Sequence, residues 1–251
     1  MATAHPLVRK LENFAPLPAA DRQVLEKACG KVKRFGPRED IIRQGDPTGG
    51  VNLVLDGWVS RYKTLEDGRR QILAYFVPGD FCDLRVFILK RMDHSIATIT
   101  PATIAVMTPD AVRDLTLNHP RLTQALWWST LVEEAITREW LVNIGQRNAY
   151  ERMAHLLCEM FFRLGAIGLA NGDACEFPVT QAEMADTTGL STVHVNRTLE
   201  ELRRVKLIEL SGRQLTILDL GGLQKAAQFN PDYLHLDREG QDGASSRDRE
   251  G

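Results

Sequence analysis

Between Pro178 and Leu218 the chain carries polar side chains at spacings that fix where they point. Thr180-Gln181-Ala182-Glu183 fits a reciprocal cap. The Thr180 hydroxyl can accept from the Glu183 N–H while the Glu183 carboxylate reaches back to the Thr180 N–H, and Val179 and Met184 stand where a hydrophobic staple closes over it. A short helix is therefore expected from this cap to about Thr187. Gly189 supplies a sharp turn, Leu190 tucks into the angle between helices, and Ser191 caps a second helix from Thr192 to about Val205. On that helix Val195, Leu199 and Leu202 share one face through i+4 and i+3 spacing. Thr192, His194, Asn196 and Arg197 are left on or beside the other face, near the N-terminus. The chemistry open to such a set is hydrogen bonding to base edges in a DNA major groove.

Leu207 to Leu210, Ser211-Gly212-Arg213 and Gln214 to Leu218 read as strand, turn and strand, a wing whose tip Arg213 can meet a phosphate. Alone, Ser191 is an ordinary cap and Arg197 an ordinary surface charge. The ordered series of cap, glycine turn, second cap, inward apolar face and wing is what points to DNA. The candidate contacts are Thr180, Gln181, Ser191, Thr192, Val193, His194, Asn196, Arg197 and Arg213. From Gly189 to Arg213 five basic residues (Arg197, Arg203, Arg204, Lys206, Arg213) outnumber three acidic ones (Glu200, Glu201, Glu209), within a chain of net charge −2. Local charge, not net charge, is what nucleic acid binding needs.

Other elements must position this unit. From Lys31 to about Thr108, short apolar runs alternate with turn signals: Val51–Leu55, Trp58–Tyr62, Gln71–Phe76, and a last run Ile96–Met107. This texture predicts a small antiparallel roll, with Asp67-Gly68 turning a tight hairpin. Pro120 can open a long helix. On it Leu122, Leu126, Ser129, Ile136, Trp140 and Asn143 recur at spacings of three, four or seven. A long helix joining two small domains has few neighbours of its own, so this stripe is expected to form a homodimer seam, with packing on the roll of its own chain the alternative. A second helix follows, Tyr150 to Leu164, then a loop, Gly168 to Cys175. The fold class is α+β, divided as an effector-sensing roll (1–119), a dimerisation helix (120–147), a winged helix-turn-helix (148–236) and an unstructured tail (237–251).

The 251 residues are 43% hydrophobic and 25% charged, the make-up of a globular protein. No run approaches a membrane span and no signal-peptide core opens the chain, so a cytoplasmic protein without a membrane partner is expected. The four cysteines, Cys29, Cys82, Cys158 and Cys175, are scattered without a C-x-x-C pair and read as buried thiols, not metal ligands. A nucleophile elbow, P-loop, G-x-G-x-x-G and H-E-x-x-H are all missing, which argues against an enzyme.

Pro78-Gly79-Asp80-Phe81, the long helix, and the run from Val179 to Ala185 through Gly189-Leu190-Ser191 to Val195-Asn196-Arg197 together resemble the Crp/Fnr superfamily of bacterial transcription regulators, over nearly the whole chain. The resemblance implies a homodimer whose roll senses a signal and whose winged heads read a palindromic site on double-stranded DNA, with RNA polymerase a further partner. It places the effector pocket at Asp83, Leu84, His94 and Ser95. Members that bind cyclic AMP carry glutamate where Asp83 stands and arginine where His94 stands. Histidine lacks the permanent forked charge suited to phosphate, so cyclic AMP is not expected. The cysteine cluster of iron–sulfur members is missing, and Leu84 replaces the histidine that completes a haem site with Cys82. In the recognition helix, Thr192 and Val193 replace polar readers of better-known branches, leaving Arg197 as the candidate for guanine. The alternative, a small-molecule signalling module with a weak or vestigial DNA head, is opposed by the retained Asn196 and Arg197.

Overall fold

A computed structural model describes residues 5–84 and 88–236; the stretch expected to be unstructured, 237–251, lies outside the described residues. Helices α1 (Pro6–Leu11) and α2 (Ala19–Ala28) precede strands β1 (Lys31–Phe35), β2 (Asp40–Ile42), β3 (Val51–Asp56), β4 (Val59–Thr64), β5 (Arg70–Phe76), β6 (Ser95–Thr98) and β7 (Ala102–Met107). These strands form two antiparallel sheets, ordered β1-β7-β3 and β2-β6-β4-β5. Leu53, Val59, Ile96 and Ile104 lie fully buried in the core of the roll. The β4–β5 turn closes as expected around Asp67-Gly68, with the Leu65 N–H donating to the Arg69 carbonyl at 2.8 Å.

The run Ile96–Met107 is two strands, not one. The N–H groups of Ile99 and Thr100 turn to the Trp58 carbonyl, and Pro101 has no N–H to offer a ladder. The Gly168–Cys175 loop is likewise a hairpin, β8 (Ala170–Asn171) and β9 (Ala174–Glu176). It joins the wing strands β10 (Ile208–Ser211) and β11 (Gln214–Ile217) in a sheet ordered β10-β11-β9-β8, with Cys175 opposite Leu215. Two-residue strands are too short for their alternation to register in a sequence.

Helices α3 (Pro109–Asn118), α4 (Pro120–Gln146) and α5 (Ala149–Ala166) link roll and head. The stripe expected to be a dimer seam is largely intrachain. Leu122, Leu126, Ser129 and Asn143 are buried, and Ile136 and Trp140 pack half-buried on the second core. The roll and the C-terminal segment give α4 neighbours within its own chain, contrary to the expectation that it had few.

Helices α6 (Gln181–Thr188), α7 (Thr192–Arg204) and α8 (Leu220–Ala227) and a 3₁₀ turn (Pro231–Leu234) complete the head. Its core is shared with the roll: Trp58, Ile72, Tyr75 and Val77 join α5, α7 and the wing, and the Trp58 ring meets Phe177 edge-on at 5.9 Å. Alongside this core lies a buried ionic joint. Arg163 of α5 pairs with Asp80 at 2.9 Å and Glu159 at 3.2 Å and donates to the Tyr75 carbonyl at 2.7 Å, while Lys10 of α1 also pairs with Asp80. Burial alone would raise the Asp80 carboxyl, but Lys10 and Arg163 outweigh it and hold the group below the usual carboxylate range. Gly79, at φ +96°, lets α1 approach, since a Cβ there would stand 2.7 Å from the Pro6 carbonyl oxygen.

His155 of α5 has no exposed surface and is walled by Trp140, Phe229 and Tyr233. Burial pulls its imidazole down to about 3, with Arg147 adding to the shift. An unfolded histidine titrates near 6.5, so below that pH the unfolded chain gains a proton that the folded chain refuses. The stability from neutral His155 is complete above about pH 6.5 and is lost as pH falls towards 3. Urea denaturation between pH 7 and 5 should therefore show His155→Phe losing stability less steeply than wild type, by up to about 1.4 kcal/mol per pH unit. Equal slopes would contradict this reading.

Candidate nucleic-acid interface and roll pocket

The capping box forms as expected. Thr180 N–H donates to Glu183 Oε2 at 2.8 Å, and Glu183 N–H donates to Thr180 Oγ1 at 3.2 Å. Val179 and Met184 are both buried beside it. Gly189 closes α6 in the left-handed region at φ +67°, and Ser191 caps α7 by accepting from the His194 N–H at 3.3 Å. Val195, Leu199 and Leu202 have no exposed surface. The opposite face of the same helix carries Thr192, Val193, His194 and Arg197 in the open, Val193 being 78% exposed. Asn196 is half-buried, and its amide reaches Gln181 of α6 at 3.5 Å, a contact that ties the two helices at the edge of this face.

Arg213 lies beside the wing turn and pairs with Glu176 at 2.9 Å, both side chains more than half exposed. A pair so exposed holds its members weakly and leaves the guanidinium free to change partner.

Sequence reasoning missed what supports α6 from behind. Tyr75 of β5 places its hydroxyl 2.6 Å from Thr187 Oγ1, the Gln71 amide donates to the Thr187 carbonyl at 2.9 Å, and Arg70 pairs with Asp186 at 2.7 Å. Arg70 and Asp186 stand 116 positions apart, beyond the reach of any local pattern. Arg152 of α5 donates to the Thr188 carbonyl at 2.6 Å and fixes the same C-terminal end of α6 from the side of α5.

In the roll, two of the four expected pocket residues, Asp83 and His94, cluster with three that were not among them, Asp93, Arg61 and Glu133. His94 Nε2 lies 2.7 Å from Asp83 Oδ2, and His94 Nδ1 lies 2.8 Å from Asp93 Oδ1. Asp83 Oδ1 lies 2.9 Å from Arg61 Nη2, which also meets Glu133 of α4 at 2.7 Å. Ser95 accepts from the Gln44 N–H at 2.9 Å. Leu84 turns away and lines an apolar groove of about 540 Å³ with Val112, Leu126 and Trp127. The one signal for Arg61 was a lone arginine within a strand of mostly apolar and small residues. Glu133 gave none. Cys29, Cys82, Cys158 and Cys175 are all buried free thiols, and burial pushes Cys82 well above its ordinary value.

Two family descriptions match this architecture: Cyclic nucleotide-binding domain over residues 32–119, and Crp-like helix-turn-helix domain over residues 151–226. The transcriptional activatory protein AadR of Rhodopseudomonas palustris is 27% identical over 216 residues, covering 86% of this chain and 88% of its own. The transcriptional activator protein FnrL of Cereibacter sphaeroides is 29% identical, covering 77% of this chain and 79% of its own. The structure of FixK2 from Bradyrhizobium japonicum superposes with a TM-score of 0.69 at 24% identity, covering 78% of this chain and 96% of that one. The chain belongs to the Crp/Fnr superfamily. This Crp/Fnr protein is a transcription regulator with a helix-turn-helix DNA-binding domain.

The roll's family implies a cyclic nucleotide, and the described residues do not fit one. A cyclic phosphate needs an unpaired cation, yet His94 already faces Asp93 and Asp83, and Arg61 faces the same Asp83 and Glu133. Counting Asp93, Asp83 and Glu133 against Arg61 and a charged His94, the cluster has a net charge of −1, which repels an anion. No helix of the described residues is long and apolar enough to cross a membrane.

The cap geometry gives the first test of the head. Thr180→Ala should cost about 1 kcal/mol, a fall of about 2–4 °C in the melting temperature of a chain this long. An unchanged melting temperature would mean the box contributes nothing to the head.

Proposed function

We propose that this Crp/Fnr chain works in the cytoplasm as a homodimer whose two heads lay α7 into successive major grooves of a palindromic operator. The observation that carries the proposal is α7 itself: a capped helix, fixed on its apolar face, with an outer face left open. In this arrangement Arg197 donates bidentately to guanine O6 and N7, and Val193 makes apolar contact with a thymine methyl. Thr192, His194 and Asn196 supply further polar contacts. Thr180, Gln181, Ser191 and Arg213, at the helix starts and the wing, meet phosphates and fix the register. The roll gates the head through the stretch around Asp83, Leu84, His94 and Ser95. Activation, in partnership with RNA polymerase, is the mode supported by relatives named as activators.

The dimer seam in this proposal is the face of α4 that its own chain leaves open. Trp127, Leu131 and Leu141 are 65%, 58% and 71% exposed. They fall on the series 127, 131, 134, 138, 141 and 145, whose alternating steps of four and three match a coiled-coil seam. The Glu134–Arg138 pair, at 3.9 Å, occupies its middle.

Two measurements test this reading. Fluorescence anisotropy on a selected operator should show Arg197→Ala losing about 1–3 kcal/mol, with relaxed preference at one base pair in each half-site. A uniform loss across all sequences would assign Arg197 to a phosphate instead. Sedimentation equilibrium should show Leu131→Glu shifting the protein from dimer to monomer, and an undisturbed dimer would place the seam elsewhere.

A further inference from the structure

The ion pairs around His94 form one continuous chain of alternating sign: Asp93, His94, Asp83, Arg61, Glu133. It begins beside β6, crosses the position where the superfamily's ligand would sit, and ends on α4. Arg61, its fourth member, is 15% exposed in its side chain and stacks over the Phe76 ring at 4.9 Å. It also donates to the Cys82 carbonyl. A link of this kind ties the roll to the long helix without any nucleotide.

The geometry sets the protonation that the chain requires. An ionised carboxylate has only acceptor oxygens, and a neutral imidazole has one N–H and one bare nitrogen. Here both imidazole nitrogens lie within 2.8 Å of a carboxylate oxygen, so both contacts are hydrogen bonds only when His94 carries two protons. Removing one sets a lone pair against an oxygen lone pair. Asp83 would then depend on Arg61 alone and compete with Glu133 for the same Nη2 atom.

We propose that the roll's ligand position is filled from within by this ion chain, and that a proton on His94 takes the nucleotide's place as the signal relayed to α4. Histidine is the side chain whose ordinary charge change falls between about pH 5 and 8. The charged and titratable groups that face His94 among the described residues are few. Asp83 comes from the stretch after β5, and Asp93 adjoins it. Arg61, Tyr62 and Lys63 lie on β4, with Tyr62 donating to Asp40 and Lys63 acting on Asp93 through its charge. Glu133 on α4 is one step further. Burial opposes ionisation of Asp93, but the hydrogen bond and charge of His94, a backbone hydrogen bond and the charge of Lys63 together outweigh it and hold the carboxyl below the usual range.

The inference rests on the roll acting on the head through α4, and its test is kept separate from DNA binding. In NMR of the full-length protein between pH 5.5 and 8, the backbone signal of Glu133 should shift with the same midpoint as the His94 ring nitrogens. Asp83→Asn should abolish that linked shift. Should this variant fail to fold, His94→Asn, with its thermal transition compared to wild type, serves the same purpose. Calorimetry with cyclic AMP and with cyclic GMP should show no binding. A Glu133 signal indifferent to pH, a shift that survives both substitutions, or saturable binding of either nucleotide would overturn the proposal. Where the protein binds its operator, affinity should change about fivefold or more across this range in wild type and stay level in His94→Asn. Loss of operator binding at every pH, with the linked shift intact, would count against the DNA-reading proposal and not against this one.

Discussion

The guanidinium of Arg163 sits between two carboxylates that water cannot reach, Asp80 of the roll and Glu159 of its own helix. Two buried negative charges this close to one another are costly unless a cation and hydrogen bonds answer them. Arg163 does so, with a further bond to the Tyr75 carbonyl, and Lys10 completes the set from α1. Three parts of the chain thereby converge on one carboxylate, that of Asp80: the N-terminal helix through Lys10, the Gly79-Asp80 turn of the roll itself, and, through Arg163, the helix α5 on which the head is built. The neighbouring Trp58–Phe177 contact then extends one apolar core across roll and head. Helix α7 thus stands on a foundation that the roll shares, and roll and head are packed as one continuous core.

Much of the head was legible in the sequence because its determinants are local. Thr180 and Glu183 stand three positions apart, Ser191 directly precedes its helix, and Gly189 sits at the turn itself. Each therefore forms its contact within a few residues, and the structure reproduces all three. The same holds for the β4–β5 hairpin and for the ends of α4 and α5. What failed was the assignment of faces. Leu122, Leu126 and Asn143 repeat as a seam would, but periodicity only says that a face is covered, not by what. The roll covers the first two, and the seam candidates Trp127, Leu131 and Leu141 lie on another side of the helix.

The roll pocket was only half legible for a related reason. The comparison with relatives drew attention to Asp83 and His94 because they replace known ligand-binding residues. It could not show that the two meet each other, nor that Arg61 and Glu133 continue the contact to α4, since Arg61 and Asp83 are 22 positions apart and folding alone joins them. Substitution of a ligand-binding residue and replacement of the ligand itself are different statements. Only the geometry distinguishes them.

The central claim is that α7 is a base-reading element presented twice by a symmetric dimer. Selection of bound fragments from random double-stranded DNA by the wild-type protein tests it most directly. The account predicts enrichment of an inverted repeat with half-site centres about one helical turn apart, ~34 Å, and a guanine at one symmetric position in each half. Enrichment of a single unpaired motif, or no enrichment above the starting pool, would contradict it.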